Sequence, residues 1–171
     1  VGRPGGGALV EGTTHGKNLD VRDLLAITEM EKDPRYLDVK GTLDMRTSVR
    51  LDMGGEGDLC GGGFVEAHGS ATLHEMNVYG EHYDGGEAEA DFVWRDRLAV
   101  ERGVEATLRS LFVRKGRGTI TASGSVKQGG VLAGSFVASD IPLAQIDTLS
   151  WLPRGVEGAI EATGVLGGTI D

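Results

Sequence analysis

The stretch Gly118–Val126, GTITASGSV, decides the fold class of this 171-residue chain. Ile120, Ala122, Gly124 and Val126 fall on one side of an extended backbone, and Thr119, Thr121, Ser123 and Ser125 on the other. A period of two marks a half-buried β-strand, because successive side chains of a strand point to opposite faces. Near the C-terminus the stretch Gly158–Leu166, GAIEATGVL, does almost the same with Ile160, Ala162 and Leu166. Both strands are apolar on one side, polar on the other and poor in large side chains.

The same alternation runs outward from these strands. Leu43, Met45, Val49, Leu51 and Met53 alternate with Asp44, Arg46, Ser48, Arg50 and Asp52. Val65, Ala67, Gly69, Ala71 and Leu73 alternate with Glu66, His68, Ser70, Thr72 and His74. Ala88, Ala90, Phe92 and Trp94 oppose Glu87, Glu89 and Asp91, and Val104, Ala106 and Leu108 oppose Glu105, Thr107 and Arg109. Leu132, Phe136 and Ala138 continue the series. MGGEGD, CGGG, YDGGE, KGRG, KQGG and LPRG read as turns between the strands. The 29 glycines accompany only 4 prolines, which fits strands with tight turns and excludes a collagen or linker composition. Aromatic residues are 5% of the chain, so the core is expected to be thin or open. About twelve strands at about 4.8 Å spacing predict a sheet of roughly 60 Å.

Two segments read as short helices. In Asn18–Ile27, Asn18 or Asp20 caps a stripe of Val21, Leu24 and Leu25. In Ser139–Leu152, Ser139 or Asp140 caps a helix with Pro142 in its first turn and Ile141, Ile146, Leu149 and Leu152 as its stripe. These segments belong to an internal repeat of residues 6–53 with 129–171. GGALVEGTTHGKNLDVRDL (Gly6–Leu24) aligns with GGVLAGSFVASDIPLAQI (Gly129–Ile146). A proline-containing loop follows each, EKDPRY in one and WLPRG in the other, and then VKGTLDM and VEGAIEA. The order in both is strand, short helix, loop, strand, with a period of roughly 120 residues, as in arrays that grow by adding units to one end. The whole chain, residues 1–171, reads as one such elongated β domain. Because it starts at Val1 and stops in mid-pattern, it is expected to be a piece of a longer chain. Alternation by itself favours a closed β-sandwich or barrel, in which the apolar sides face each other.

Charge and motifs exclude more than they include. The net charge of −9 leaves no basic footprint for nucleic acid. The one basic cluster, RKGRG at Arg114–Gly118, reads as a charged turn, with a lipid head group or an acidic partner as the sharper reading. Cys60 is the single cysteine, so no internal disulfide and no cysteine-based zinc site forms. No run approaches the roughly 18 apolar residues of a membrane span, and no signal peptide is present, so membrane contact is assigned to segments outside this sequence. His68, His74 and Glu66 share one strand face, with Glu75 and His82 nearby, but the second histidine of a helical zinc motif is missing. Asp84, Glu87, Glu89 and Asp91 offer many carboxylates and no selected pair. No catalytic residue, metal or cofactor is assigned, and the chain is read as a non-enzyme. Trp151 is expected in the core, whereas Phe92, Trp94 and Phe112 suit either a core or a groove mouth. A β-solenoid adhesin would need short periods of roughly 20–25 residues, which are absent.

The glycine-rich strand GTITASGSV, the segment SDIPLAQID and the closing VEGAIEATGVLGGTID together resemble the repeat region of TamB-like proteins of the AsmA-like superfamily. The likeness covers most of the chain and is clearest from Gly69 onward. It rests on glycines and small apolar residues, without a catalytic signature. The resemblance implies a long β-sheet curled into a half-pipe with an apolar concave face, in place of the closed sandwich. It implies an inner-membrane-anchored protein crossing the periplasm of a double-membraned bacterium toward a TamA-like outer-membrane barrel. It further implies transport of phospholipids to the outer membrane or, alternatively, a β scaffold that assists outer-membrane protein assembly. On that reading the acyl chains lie on Leu43, Met45, Val65, Ala67 and Leu73, then on Ala90, Phe92, Val104 and Leu108. The lining continues through Ile120, Ala122, Val126, Leu132 and Phe136 to Ile160 and Leu166.

Overall fold

The structure, a computed structural model, describes residues 8–27, 38–53, 63–97, 101–151 and 157–169. The alternating runs become eight strands: β1 (Leu9–Asp20), β2 (Val39–Asp52), β3 (Phe64–Val78), β4 (Glu81–Arg97), β5 (Glu101–Lys115), β6 (Gly118–Lys127), β7 (Val131–Pro142) and β8 (Ala159–Thr169). Each pairs antiparallel with the next in sequence order, giving one open, curled eight-stranded sheet that does not close into a barrel. At about 4.8 Å per step the sheet is roughly 34 Å wide, shorter than the expected span. The difference lies in strand length: β4 alone runs for 17 residues. Gly85 and Gly86, expected in a turn, lie inside β4. A side chain on Gly85 would come within 2.8 Å of the Leu73 carbonyl, and one on Gly86 would strike the Phe112 carbonyl. These glycines allow close approach of neighbouring backbones. The turn itself falls at Tyr79–Gly80.

One of the two expected helices forms. Val21–Ile27 is a short α-helix, α1. Across Ser139–Leu152 the chain instead stays in β7 as far as Pro142, then makes two 3-10 turns, Leu143–Gln145 and Asp147–Leu149. Ile141 pairs with Ile160 of β8, so the strand ladder claims the residues expected to start the helix. Pro142, with ψ near 128°, is extended. Leu152, the loops EKDPRY and LPRG, and Cys60 lie outside the described residues.

The hairpin β1–β2 and the hairpin β7–β8 share irregularities as well as element order. Both shift register at the same place, between Gly16 and Leu19 in one and between Ala138 and Ile141 in the other. Each shift holds a left-handed residue, Asn18 (φ 50) or Asp140 (φ 52). Two residues before the first apolar-row residue of each second strand, Leu43 or Ile160, stands a glycine of matching φ, Gly41 (146) or Gly158 (149), a conformation that L side chains rarely adopt.

No described side chain is fully buried, as expected of a sheet without a second sheet packed on it. The best-covered apolar residues are Ile141, 5% exposed, Met76 and Ala138.

Candidate functional site

Directly opposed residues on neighbouring strands share a face. The registers assemble five rows across one face of the sheet. At the open end stand Val10, Leu51, Val65, Trp94 and Val104. The next row runs from Gly12 through Val49, Ala67, Phe92, Ala106, Val126 and Leu132 to Gly168. A third runs from Thr14 through Thr47, Gly69, Ala90, Leu108, Gly124 and Gly134 to Leu166. The fourth joins Gly16, Met45, Ala71, Ala88, Leu111, Ala122, Phe136 and Gly164. The fifth joins Leu19, Leu43, Leu73, Gly86, Val113, Ile120, Ala138 and Ala162, with Ile141 and Ile160 beyond it. No row contains a charged residue. Every residue assigned to the lining from sequence falls on this one face. The Phe136 ring lies over Gly164, where any side chain would collide with it.

The face differs along its length. At the open end Val104 is 47% exposed, Phe92 40% and Trp94 37%. At the other end the β7–β8 connection folds back over the sheet. It leaves a cavity of about 250 Å³ lined by Ile120, Ile141, Ile146 and Ile160, with Tyr83 and Lys115 at its side. Lys115 is 5% exposed. Its ammonium donates to Glu81 at 2.8 Å and to the His82 carbonyl at 2.7 Å, and lies 5.0 Å from the centre of the Tyr83 ring. Asp147 stands 3.5 Å away. Glu81 also accepts the backbone N–H groups of Asp147 and Thr148, at 3.1 and 2.7 Å, and so caps the second 3-10 turn from across the sheet. Burial works to raise the Glu81 pKa, but the hydrogen bonds from Lys115, Thr148 and Asp147 outweigh it and hold the carboxyl at about 2.

Sequence reasoning missed this corner. The sequence makes Lys115 part of a charged turn between strands; it is instead buried at the end of β5 and fully paired, so the RKGRG cluster offers no free ammonium to a head group there. Its partners lie more than thirty residues away in both directions, and no local signal joins them. Trp151, expected in the core, is 74% exposed. Phe112 opposes Glu87 and Thr121 on the other face, and Trp94 is on the apolar one.

The opposite face carries the charges. Asp91 accepts from the Arg109 guanidinium and pairs with His68 Nδ1 at 2.8 Å. These two partners, Arg109 first, hold its carboxyl below the usual range. His74 lies 3.4 Å from Asp44 and His82 3.8 Å from Asp84. Each of these three histidines thus has its own carboxylate, and the described residues contain no group of three that could hold a metal. An open cleft of about 820 Å³ spans this face from Glu11 of β1 to Arg109 of β5. Over β1–β5 this cleft opens on the polar side of the sheet. The β4–β5 register slips between Glu89 and Ala90, and the β5–β6 register slips between Leu108 and Leu111. Such a bulge bends its strand and increases local twist. Over β7 and β8 the alternation holds as far as Val165, with the apolar-row side chains half-buried and the others mostly exposed.

Comparison with protein-family models, with curated proteins and with solved structures finds no match for this chain. The geometry of the two faces therefore carries the functional argument. Among the described residues no helix is long and apolar enough to cross a membrane.

Proposed function

We propose that this chain carries phospholipid acyl chains on its apolar face, as a periplasmic section of a bridge-like lipid-transport protein. The observation that supports the reading is the set of five uncharged rows with no second sheet over them among the described residues. A monomeric domain normally covers such a surface, and a large exposed apolar patch marks a ligand or partner site. Each methylene moved from water onto it contributes about 0.8 kcal/mol. Small side chains and glycines keep the rows smooth, so an acyl chain slides without a deep minimum to hold it. The mechanism is shelter from water, with no covalent step. In the same reading the longer protein is anchored in the inner membrane and meets a TamA-like outer-membrane barrel, and lipid moves outward.

A photoreactive amino acid at Val104 or at Thr107 tests this, with the chain incubated with phospholipid vesicles. Val104 is on the apolar face and Thr107 on the polar one. A phospholipid adduct at position 104 and none at 107, read by mass spectrometry, is the expected result. Adducts at neither position, or equally at both, with both proteins folded, sink the proposal.

A further inference from the structure

We infer that the free edge of β8 pairs with the free edge of β1 in a second copy of this chain, head to tail. The argument starts from the two matching hairpins. β8 stands in its hairpin as β2 stands in the first: Ile160, Ala162, Gly164 and Gly168 hold the places of Leu43, Met45, Thr47 and Leu51. The far edge of β2 is occupied by β3. The far edge of β8 is the edge of the sheet. β8 therefore repeats, down to the backbone of Gly158, a strand built to be paired on both sides.

β1 has the character of β3. Leu9-Val10-Glu11-Gly12 reads like Phe64-Val65-Glu66-Ala67. The two strands flank β2 in one register, with Val10 and Val65 both opposite Leu51, Glu11 and Glu66 both opposite Arg50, and Gly16 and Ala71 both opposite Met45. β1 of a second copy can thus take on β8 the place that β3 takes on β2, and the two run antiparallel.

Carried over residue by residue, this register sets Thr13 of the second copy opposite Val165. It sets Lys17 of the second copy opposite Glu161, the one charged residue of β8. Edge strands of soluble proteins are commonly protected by lysine, proline or a covering element. β8 has neither residue, and it presents Val165 at 86% and Leu166 at 53% exposure. The pairing keeps the apolar rows on the same side in both copies, and it is heterologous, so each added copy leaves a β1 edge and a β8 edge for the next. It does not depend on what the apolar face carries.

The test is disulfide trapping in a Cys60→Ser background, with each substituted side chain on the exposed polar face. One chain carries Thr13→Cys and the other Val165→Cys, and the two are mixed under mild oxidation. Opposed residues bring their Cβ atoms to disulfide distance. The expected result is a covalent heterodimer, about tenfold more abundant than from Thr13→Cys mixed with Gly167→Cys, which is two residues out of register. In addition, a Leu166→Lys chain (β8 blocked) and a Val10→Lys chain (β1 blocked), each monomeric alone, are expected to form dimers and nothing larger when mixed. Dimers from either single-cysteine chain alone at the same yield would show each edge pairing with itself and overturn the inference. Equal trapping in and out of register, or no trapping in any mixture, also overturns it.

Discussion

Both ends of the apolar face carry large apolar side chains, and their fates differ. Under the β7–β8 connection, Ile141 and Lys115 are each 5% exposed and sit in a closed corner. At the far end Val104, Phe92 and Trp94 are just as apolar and are open to water. The closed corner is where the folded state gains its specific contacts. The open end gives up part of that stabilisation and keeps a surface free for something else. Exposure at these positions therefore separates residues that hold the sheet from residues that contribute little to it.

Substitutions sharpen that separation. Lys115→Met leaves the Glu81 carboxylate, 15% exposed, without its cation, and losing one partner of such a largely covered pair costs about 3 kcal/mol. Urea unfolding measures it. Arg109→Met removes the ion pair with Asp91, yet its guanidinium is solvated, and the midpoint is expected to stay nearly unchanged. If the two variants lose stability equally, burial is not what distinguishes them.

Ile141→Ala is expected to cost about 2–4 kcal/mol, because it empties the best-covered apolar site. Val104→Ala at the open end is expected to cost less than about 1 kcal/mol while lowering phospholipid adducts at neighbouring positions. A large loss of stability at Val104 would make the open end part of a core.

Acid separates the ends more gently. The Glu81 pKa is depressed from 4.5 to about 2, so its contribution is fully present above pH 4.5 and fades as pH falls toward 2. The contribution amounts to about 3 kcal/mol, at roughly 1.4 kcal/mol per pH unit of depression. Glu81→Gln is expected to flatten the fall in urea midpoint between pH 4.5 and 2. An unchanged slope would mean that other carboxylates dominate. Of all these changes the smallest is Trp151→Ala, at a residue 74% exposed, which is expected to leave stability unaltered.

How far the sequence could be read depended on how local the cause was. The alternation in Gly118–Val126 needed only the pleat of a strand, and it placed Ile120, Ala122 and Val126 on one face with lining residues more than seventy positions away. The helix expected over Ser139–Leu152 failed for a non-local reason. Pairing of Ile141 with Ile160 extended β7 through the intended cap. The DGGE segment misled in the same way, since its glycines answer to the backbones of β3 and β5 and not to a turn.

The sequence by itself determined the strands, the face to which each side chain points, and the absence of charge from one of those faces, because period-two alternation acts between neighbours along the chain. Only the tertiary structure decided that the sheet stays open, that a wide cleft lies on the polar side of β1–β5, and that Lys115 is buried. Each of these depends on groups far apart in sequence meeting across strands, and on a bulge at Arg109–Ser110 of β5 that shifts the register by one residue against both β4 and β6.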